Sequence, residues 1–497
     1  MATTAAAPRP LDRVAIALIA LLAAFAHLAT SLGPGASAAV QTAAEGVRWL
    51  VPAGSPLPAG SRVLRALPVA DALEITAPTA PAQGVRSDTP LGWRQLAGAP
   101  DSDGRRLDSA VASTRAPQAW RTTRGERAVV ALIDTGIAPV PALEGAVAGE
   151  IDFSGTGGGD GYGHGTFLAS LIAGRGDVAT GVAPGAGVLS LKVGGPDGST
   201  NLGRVLAALQ WLDGPGRSVG IRIATLALGV EPGTDAAKLL DKAVERLAKD
   251  GTLVVVAAGN DGPGRLSSPA TSVGAFTIGA TDDRGTAHRA DDVTAAFSAT
   301  GTDRKHTPQP DALAGGVAVV GSMPADSLIA RTYPEAVVEG QWFRGSGTSM
   351  STAIAAGVAA LVASARPDLE GQALDAALRA GRGPIDAPAA LEAARTMPQG
   401  RGDRGNANGG NGGQGGNGGQ GGNDGSAQAV SWRAVSWRAV SWRSDHWGDG
   451  SWELGGWGGV SWRTLGGQDR GWQGEEWDSG DLAATSWRAV RWAWIPA

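Results

Sequence analysis

Apolar residues in this chain fall into short, nearly uninterrupted runs separated by glycine-rich loops. Ala128 to Ile133 reads as a buried strand that delivers Asp134-Thr135-Gly136 at its carboxyl end, where α/β sheets keep their sites. Leu253 to Val256 reads as a second strand, leading into Ala257-Ala258-Gly259-Asn260. Phe167 to Ala173 suits a helix that starts just after His164, within Gly163-His164-Gly165-Thr166. The small and apolar residues from Thr352 to Ala363 predict a buried helix, with Ser349 of Gly347-Thr348-Ser349-Met350-Ser351 at its amino end.

These placements suit a particular chemistry. A histidine at a helix entrance is positioned yet free to exchange protons. Unpaired N–H groups at a helix start favour developing negative charge beside Ser349. A hydroxyl alone is a weak nucleophile at neutral pH and needs a base. Asp134, His164 and Ser349, in that order, suggest a serine hydrolase.

On these motifs the chain resembles the subtilisin-like serine proteases, the subtilase family, over roughly residues 116 to 395. The resemblance implies a three-layer α/β/α fold with a mostly parallel central sheet and a serine endopeptidase acting on proteins or peptides. It makes Ser349 the nucleophile, His164 the general base and later acid, and Asp134 the residue that fixes the histidine tautomer. Asn260 would donate its side-chain amide to the oxyanion beside the Ser349 N–H. Gly181-Val182-Ala183-Pro184-Gly185 and the run Val188 to Val193 resemble the segment that follows the family's histidine helix. Ala227-Leu228-Gly229 resembles the family's substrate strand, whose edge takes up a peptide by strand addition. Ala257, Ala258 and Gly259 would leave an open, apolar primary pocket.

Several positions depart from the family pattern: Phe167 and Ser170 on the histidine helix, Ala353 where a proline is usual, and Ala227 where a serine is usual. The last removes a hydroxyl near the nucleophile. Asp160 reads equally as a cleft border or a solvated loop acid, and Ser268-Pro269 is a candidate cis bond behind the pocket. His27, His288, His306 and His446 lack comparable context.

Composition divides the rest of the chain. Arg9 and Arg13 precede the apolar run Val14 to Ala26, and Ala36-Ser37-Ala38 suits a signal peptidase, so 1–38 reads as a signal peptide, with an uncleaved anchor as the alternative. The location expected is secreted or attached to the cell surface. Residues 39–114 read as a propeptide or a spacer, with a compact piece from Val47 to Ile75 and maturation between about Arg105 and Arg115. The catalytic domain is expected over 115–396, a Gly/Asn/Gln-rich flexible linker over 397–428 and a tryptophan-rich tail over 429–497.

In that tail Ala429-Val430-Ser431-Trp432-Arg433 recurs twice in succession, and of the 13 positions at every fifth residue from Trp432 to Trp492, 11 are tryptophan. A period of five gives no single apolar stripe on a helix or a strand. The expectation is an adhesive tail without regular structure, or else a small solenoid or docking strand. Its indoles and arginines offer stacking surfaces to a cell wall, a membrane surface or another protein.

With 497 residues and a net charge of -5 the chain gives no sign of a nucleic-acid partner, and with no cysteine it has neither disulfides nor thiolate chemistry. No cofactor is expected for the chemistry. The resemblance brings structural calcium into question, with Asp152, Asp197 and Asp235 as candidate ligands but no complete pattern, so no metal residue is assigned. The alternative to an endopeptidase is a surface-binding protein with a weak or inactive subtilase domain and an adhesive tail.

Overall fold

The central sheet runs, in spatial order, through Val293–Thr294, Ala275–Asp282, Leu253–Ala257, Ile223–Leu226, Val129–Asp134, Gly187–Lys192 and Val147–Asp152, with Ala312–Gly315 also paired to Ala275–Asp282. All of these pairings are parallel except that of Val293–Thr294. The computed structural model describes residues 47–93 and 108–398, apart from 177, 287 and 382. The expected signal peptide, nearly all of the linker, the tryptophan tail and the Arg105 end of the maturation window lie outside the described residues.

Every residue of Ile223–Leu226 and Leu253–Ala257 is buried. Strands hidden on both faces need helices on both faces, which explains why they read as continuous apolar runs rather than alternating ones. The helix Asp235–Lys249 shows the complementary pattern, burying Ala236, Ala237, Leu240, Ala243, Val244 and Leu247 while Asp235, Lys238, Lys242, Arg246 and Lys249 are exposed; the buried Asp241 accepts from the Ser268 and Thr271 hydroxyls. Thr234 caps it by accepting from the Ala237 N–H, and Asn201 caps Leu202–Trp211 through the Arg204 N–H.

The helix Thr348–Ala365 starts four residues earlier than the apolar run suggested and is buried along nearly its whole length. It is apolar and long enough to cross a membrane, yet 94% of it is buried inside the fold, as suits a core helix. It packs against the helix His164–Ala173, and Gly357 lets the segment that follows that helix come close at Val182, since a Cβ on Gly357 would lie 2.6 Å from the Val182 Cβ. The chain before the sheet is tied to its far end: the Asp386 carboxylate takes Arg115 and Arg289 and also caps Ala387–Thr396 through the Ala389 N–H.

Residues 47–93 are folded too. Arg62–Leu67, Ala72–Ala77, Val47–Pro52 and Val85–Arg86 form a four-stranded antiparallel sheet in that order, so the compact piece expected over Val47–Ile75 extends to Arg86. Leu67, Val69 and Ala70 are buried in the main core, where the Val69 N–H donates to Gln210 Oε1 at 2.9 Å. Lys242 reaches Asp71 at 2.8 Å, and Arg65 donates to the Gly203 carbonyl at 3.1 Å. Beyond this sheet, Gly92–Trp93 pairs antiparallel with Leu228–Gly229.

Candidate active site

Asp134 is the last residue of its strand and His164 the first of its helix, and two glycines bring them together. A Cβ on Gly136 would lie 2.1 Å from the Gly159 carbonyl oxygen, and one on Gly165 would lie 2.2 Å from the Gly136 carbonyl oxygen. Both motifs therefore need glycine after the functional residue. The resulting contact is His164 Nδ1 to Asp134 Oδ1 at 2.7 Å, between side chains 0% and 1% exposed. Asp134 Oδ1 also accepts from the Thr135 N–H at 2.8 Å. With Nδ1–H donating to the carboxylate, Nε2 carries the free lone pair, and it has no hydrogen-bond partner among the described residues.

Asp160 is neither a cleft border nor a solvated acid. Its Oδ1 accepts from the Gly163 N–H at 2.8 Å and the Thr135 hydroxyl at 2.9 Å, and its Oδ2 from the Thr166 N–H at 2.9 Å and the Thr166 hydroxyl at 2.7 Å. Gly163, the residue before the histidine helix, has no capping side chain, so this buried carboxylate serves instead. Burial pushes the Asp160 carboxyl above its ordinary value, against the donors that pull it down. The Thr135 hydroxyl also accepts from the Gly165 N–H at 2.9 Å, joining the aspartate loop to the histidine helix.

Ser349 is fully buried in the first turn of its helix, and its hydroxyl lies 3.5 Å from the Ala227 carbonyl rather than hydrogen-bonded to His164. Such a pair often tightens only when a reacting group arrives. Asn260 follows the strand Leu253–Ala257, and its Oδ1 accepts from the Thr348 N–H and the Thr348 hydroxyl, both at 2.9 Å. With the carboxamide oxygen committed to Thr348, the amide nitrogen is the atom left to donate. Thr348 thus orients the asparagine, a role the sequence reading missed although the residue adjoins the serine.

Ala227 and Leu228 are fully buried, and the edge of Leu228–Gly229 is taken by the chain's own Gly92–Trp93, with Leu228 opposite Trp93 and Gly229 opposite Gly92. Trp93 is 4% exposed. Its indole N–H donates to the Gly198 carbonyl at 2.7 Å, and its ring centroid is 5.4 Å from that of His164. Nothing local in the sequence marked this tryptophan. Ala257, Ala258 and Gly259 are all buried, and the Gly259 N–H donates to the Thr348 hydroxyl at 3.3 Å.

The departures on the histidine helix have packing reasons. The Phe167 ring fills the space over Gly321 and Gly345, and the Ser170 hydroxyl accepts from the Ser322 N–H at 2.8 Å. Ala353 is fully buried, the Ser268-Pro269 bond is cis, and His288 and His306 are exposed. The carboxylate of Asp152 accepts from its own loop at Ser154, Gly155 and Gly157, that of Asp197 from Ser199, and that of Asp235 pairs with Lys238. Among the described residues no three His, Asp or Glu side chains gather to hold a metal, so these aspartates form no common calcium site.

The model of the subtilase family matches residues 125–392. The serine protease AprX of Bacillus subtilis (strain 168) is 35% identical over 286 residues, 53% of this chain and 63% of that protein. Subtilisin Savinase of Lederbergia lenta is 34% identical over 265 residues, 52% of this chain and 84% of that protein. Thermitase of Thermoactinomyces vulgaris is 32% identical over 256 residues, 50% of this chain and 80% of that protein. The chain therefore spans less than two thirds of AprX, and the match leaves nearly half of its own length uncovered.

Proposed function

Because this chain belongs to the subtilase family, we propose that it is a serine endopeptidase that cleaves proteins or peptides through an acyl-enzyme on Ser349. The observation that carries this reading is the buried 2.7 Å contact between His164 Nδ1 and Asp134 Oδ1, set beside a serine in the first turn of a helix. His164 Nε2 takes the hydroxyl proton as Ser349 Oγ attacks the carbonyl carbon, and the neighbouring Asp134 carboxylate stabilises the imidazolium. The Ser349 N–H and the Asn260 amide hold the oxyanion. The imidazolium then protonates the leaving amine, and water, activated by the same imidazole, releases the acyl group.

The N-terminal segment is a self-inhibiting part of a precursor in this reading. Pairing of Gly92–Trp93 with the substrate strand supports that role, because a peptide cannot add to an edge already filled. Burial of Ser109, Ala110, Val111, Ser113 and Thr114, and the hold of Asp386 on Arg115, argue for a processing bond before Asp108. The apolar leader supports export before maturation.

The test is fluorophosphonate labelling of the chain without its leader, beside Ser349→Ala, with intact masses followed over time. Labelling and loss of the N-terminal segment are expected in the parent alone. An unlabelled parent from which residues up to 107 have been removed would overturn the endopeptidase and favour a surface-binding protein with an inactive domain.

A further inference from the structure

We propose that the Ser-Trp-Arg repeats of the tail are ligands for the indole site beside His164, so that the chain carries its own competing peptide. The inference rests on the reading of the Leu228–Gly229 edge as the substrate strand.

The first observation is what holds Trp93. Its N–H bonds to a backbone carbonyl, that of Gly198. Its six-membered ring lies over Gly194, where a Cβ would come within 2.9 Å of Trp93 Cζ2. Its ring is tilted by 40° to that of His164, with centroids 5.4 Å apart. Its own backbone pairs with Leu228. These contacts recognise an indole carried on an extended backbone, and none of them depends on Trp93 being near position 93. A Cβ at the preceding position 92 would meet nothing within 4 Å, so a serine fits there. Gly92 is the small residue, and Arg94 follows in the sequence.

The second observation is where this tripeptide recurs. Ser431-Trp432-Arg433, Ser436-Trp437-Arg438, Ser441-Trp442-Arg443, Ser461-Trp462-Arg463 and Ser486-Trp487-Arg488 repeat the small-Trp-Arg order of Gly92-Trp93-Arg94. The one other Trp-Arg pair in the chain is Trp120-Arg121, and Trp120 is held in the fold by its N–H on the Val182 carbonyl and by Arg124 over its ring. A glycine-rich stretch of about thirty residues would span roughly 30 Å as a random coil, comparable with the size of a domain of this length. Tethering at that length would put the first repeats near the cleft at about millimolar concentration, so even a weak tripeptide competes. Once the N-terminal strand leaves, the tail takes its place on the same edge.

The experiment uses the full chain without its leader, with Ser349→Ala to prevent cleavage and Trp93→Ala to vacate the indole site. One version keeps the tail, and the other carries Trp→Ala at 432, 437, 442, 462 and 487. The probe is a fluorescent Ala-Val-Ser-Trp-Arg peptide read by anisotropy, with Ala-Val-Ser-Ala-Arg as control. The tail-substituted chain is expected to bind the tryptophan peptide about 10-fold more tightly than the chain with its tail intact, and the control hardly at all. Equal affinity in the two chains, no binding by either, or equal binding of the control would each overturn the proposal. If Trp93→Ala lowers the circular dichroism of the fold, the Ser349→Ala chain from which residues up to 107 have been removed serves instead, since it leaves both the indole site and the Leu228–Gly229 edge empty. Fluorophosphonate labelling of the Ser349 parent separates the two readings. A labelled parent with no peptide discrimination sinks the docking alone, and discrimination without labelling sinks the endopeptidase alone.

Discussion

The indole of Trp93 and the imidazole of His164 have ring centroids 5.4 Å apart, so a residue of the N-terminal segment lies beside the candidate general base. Burying an indole supplies about 2–3 kcal/mol, enough to hold a strand of two ladder residues on the edge of Leu228–Gly229. Trp93→Ala should therefore free the cleft earlier. Fluorophosphonate labelling of Ser349 in the precursor is expected to speed up by about tenfold or more, since each 1.4 kcal/mol is a factor of ten. An unchanged labelling rate would mean that this side chain does not gate the site.

Asn260 offers a cleaner separation of roles, because its two ends do different things. The oxygen accepts from Thr348, and the nitrogen is left for the oxyanion. Asn260→Asp keeps an acceptor for Thr348 but cannot donate, so kcat should fall by about 10²–10³ with KM little changed and thermal stability nearly kept. A loss confined to stability would show that the asparagine only braces Thr348.

The strand-end and helix-start places of the three candidate catalytic residues were legible because each is written locally. Asp134, His164 and Ser349 sit at a strand end or a helix start, and the neighbouring glycines are forced by backbone contacts as close as that between Gly136 and Gly159. The buried runs were legible for a similar reason, since strands hidden on both faces leave no polar alternation. Asp160 was not, because its donors come from Thr135 and Thr166 as well as from its own loop, and no short window contains them all. Trp93 was missed because its meaning depends on Leu228, far along the chain. Phe167 and Ser170 were visible as departures, but the strands they pack on, Val319–Ser322 and Trp342–Gly345, follow only from the fold.

Removing the Asp160 carboxylate should loosen the whole entrance of the histidine helix. Asp160→Ala leaves the Gly163 and Thr166 N–H groups and the Thr135 hydroxyl without this acceptor in a buried place. The expected loss is about 2–4 kcal/mol of stability, seen as a lower melting temperature, together with slower Ser349 labelling as His164 loses its fixed position. A variant with unchanged melting would show that other groups or water replace the cap.

A pH effect is expected away from the site, at Asp292. Both of its carboxylate oxygens are buried without a hydrogen-bond partner. Burial first, then the charges of Asp283 and Asp291, push its carboxyl from 3.8 to about 6, with Arg289 opposing. The folded state therefore favours the neutral acid: the stability this group contributes is present in full below about pH 4 and is lost as pH rises through about 6. The full shift would be worth about 3 kcal/mol, and solvent screening at a half-buried residue reduces it to about 1 kcal/mol. Asp292→Asn keeps the shape without the charge, so it should melt higher than the parent at pH 7.5 and with the parent near pH 4. An equal difference in melting temperature at the two pH values would show that Asp292 titrates normally in the fold.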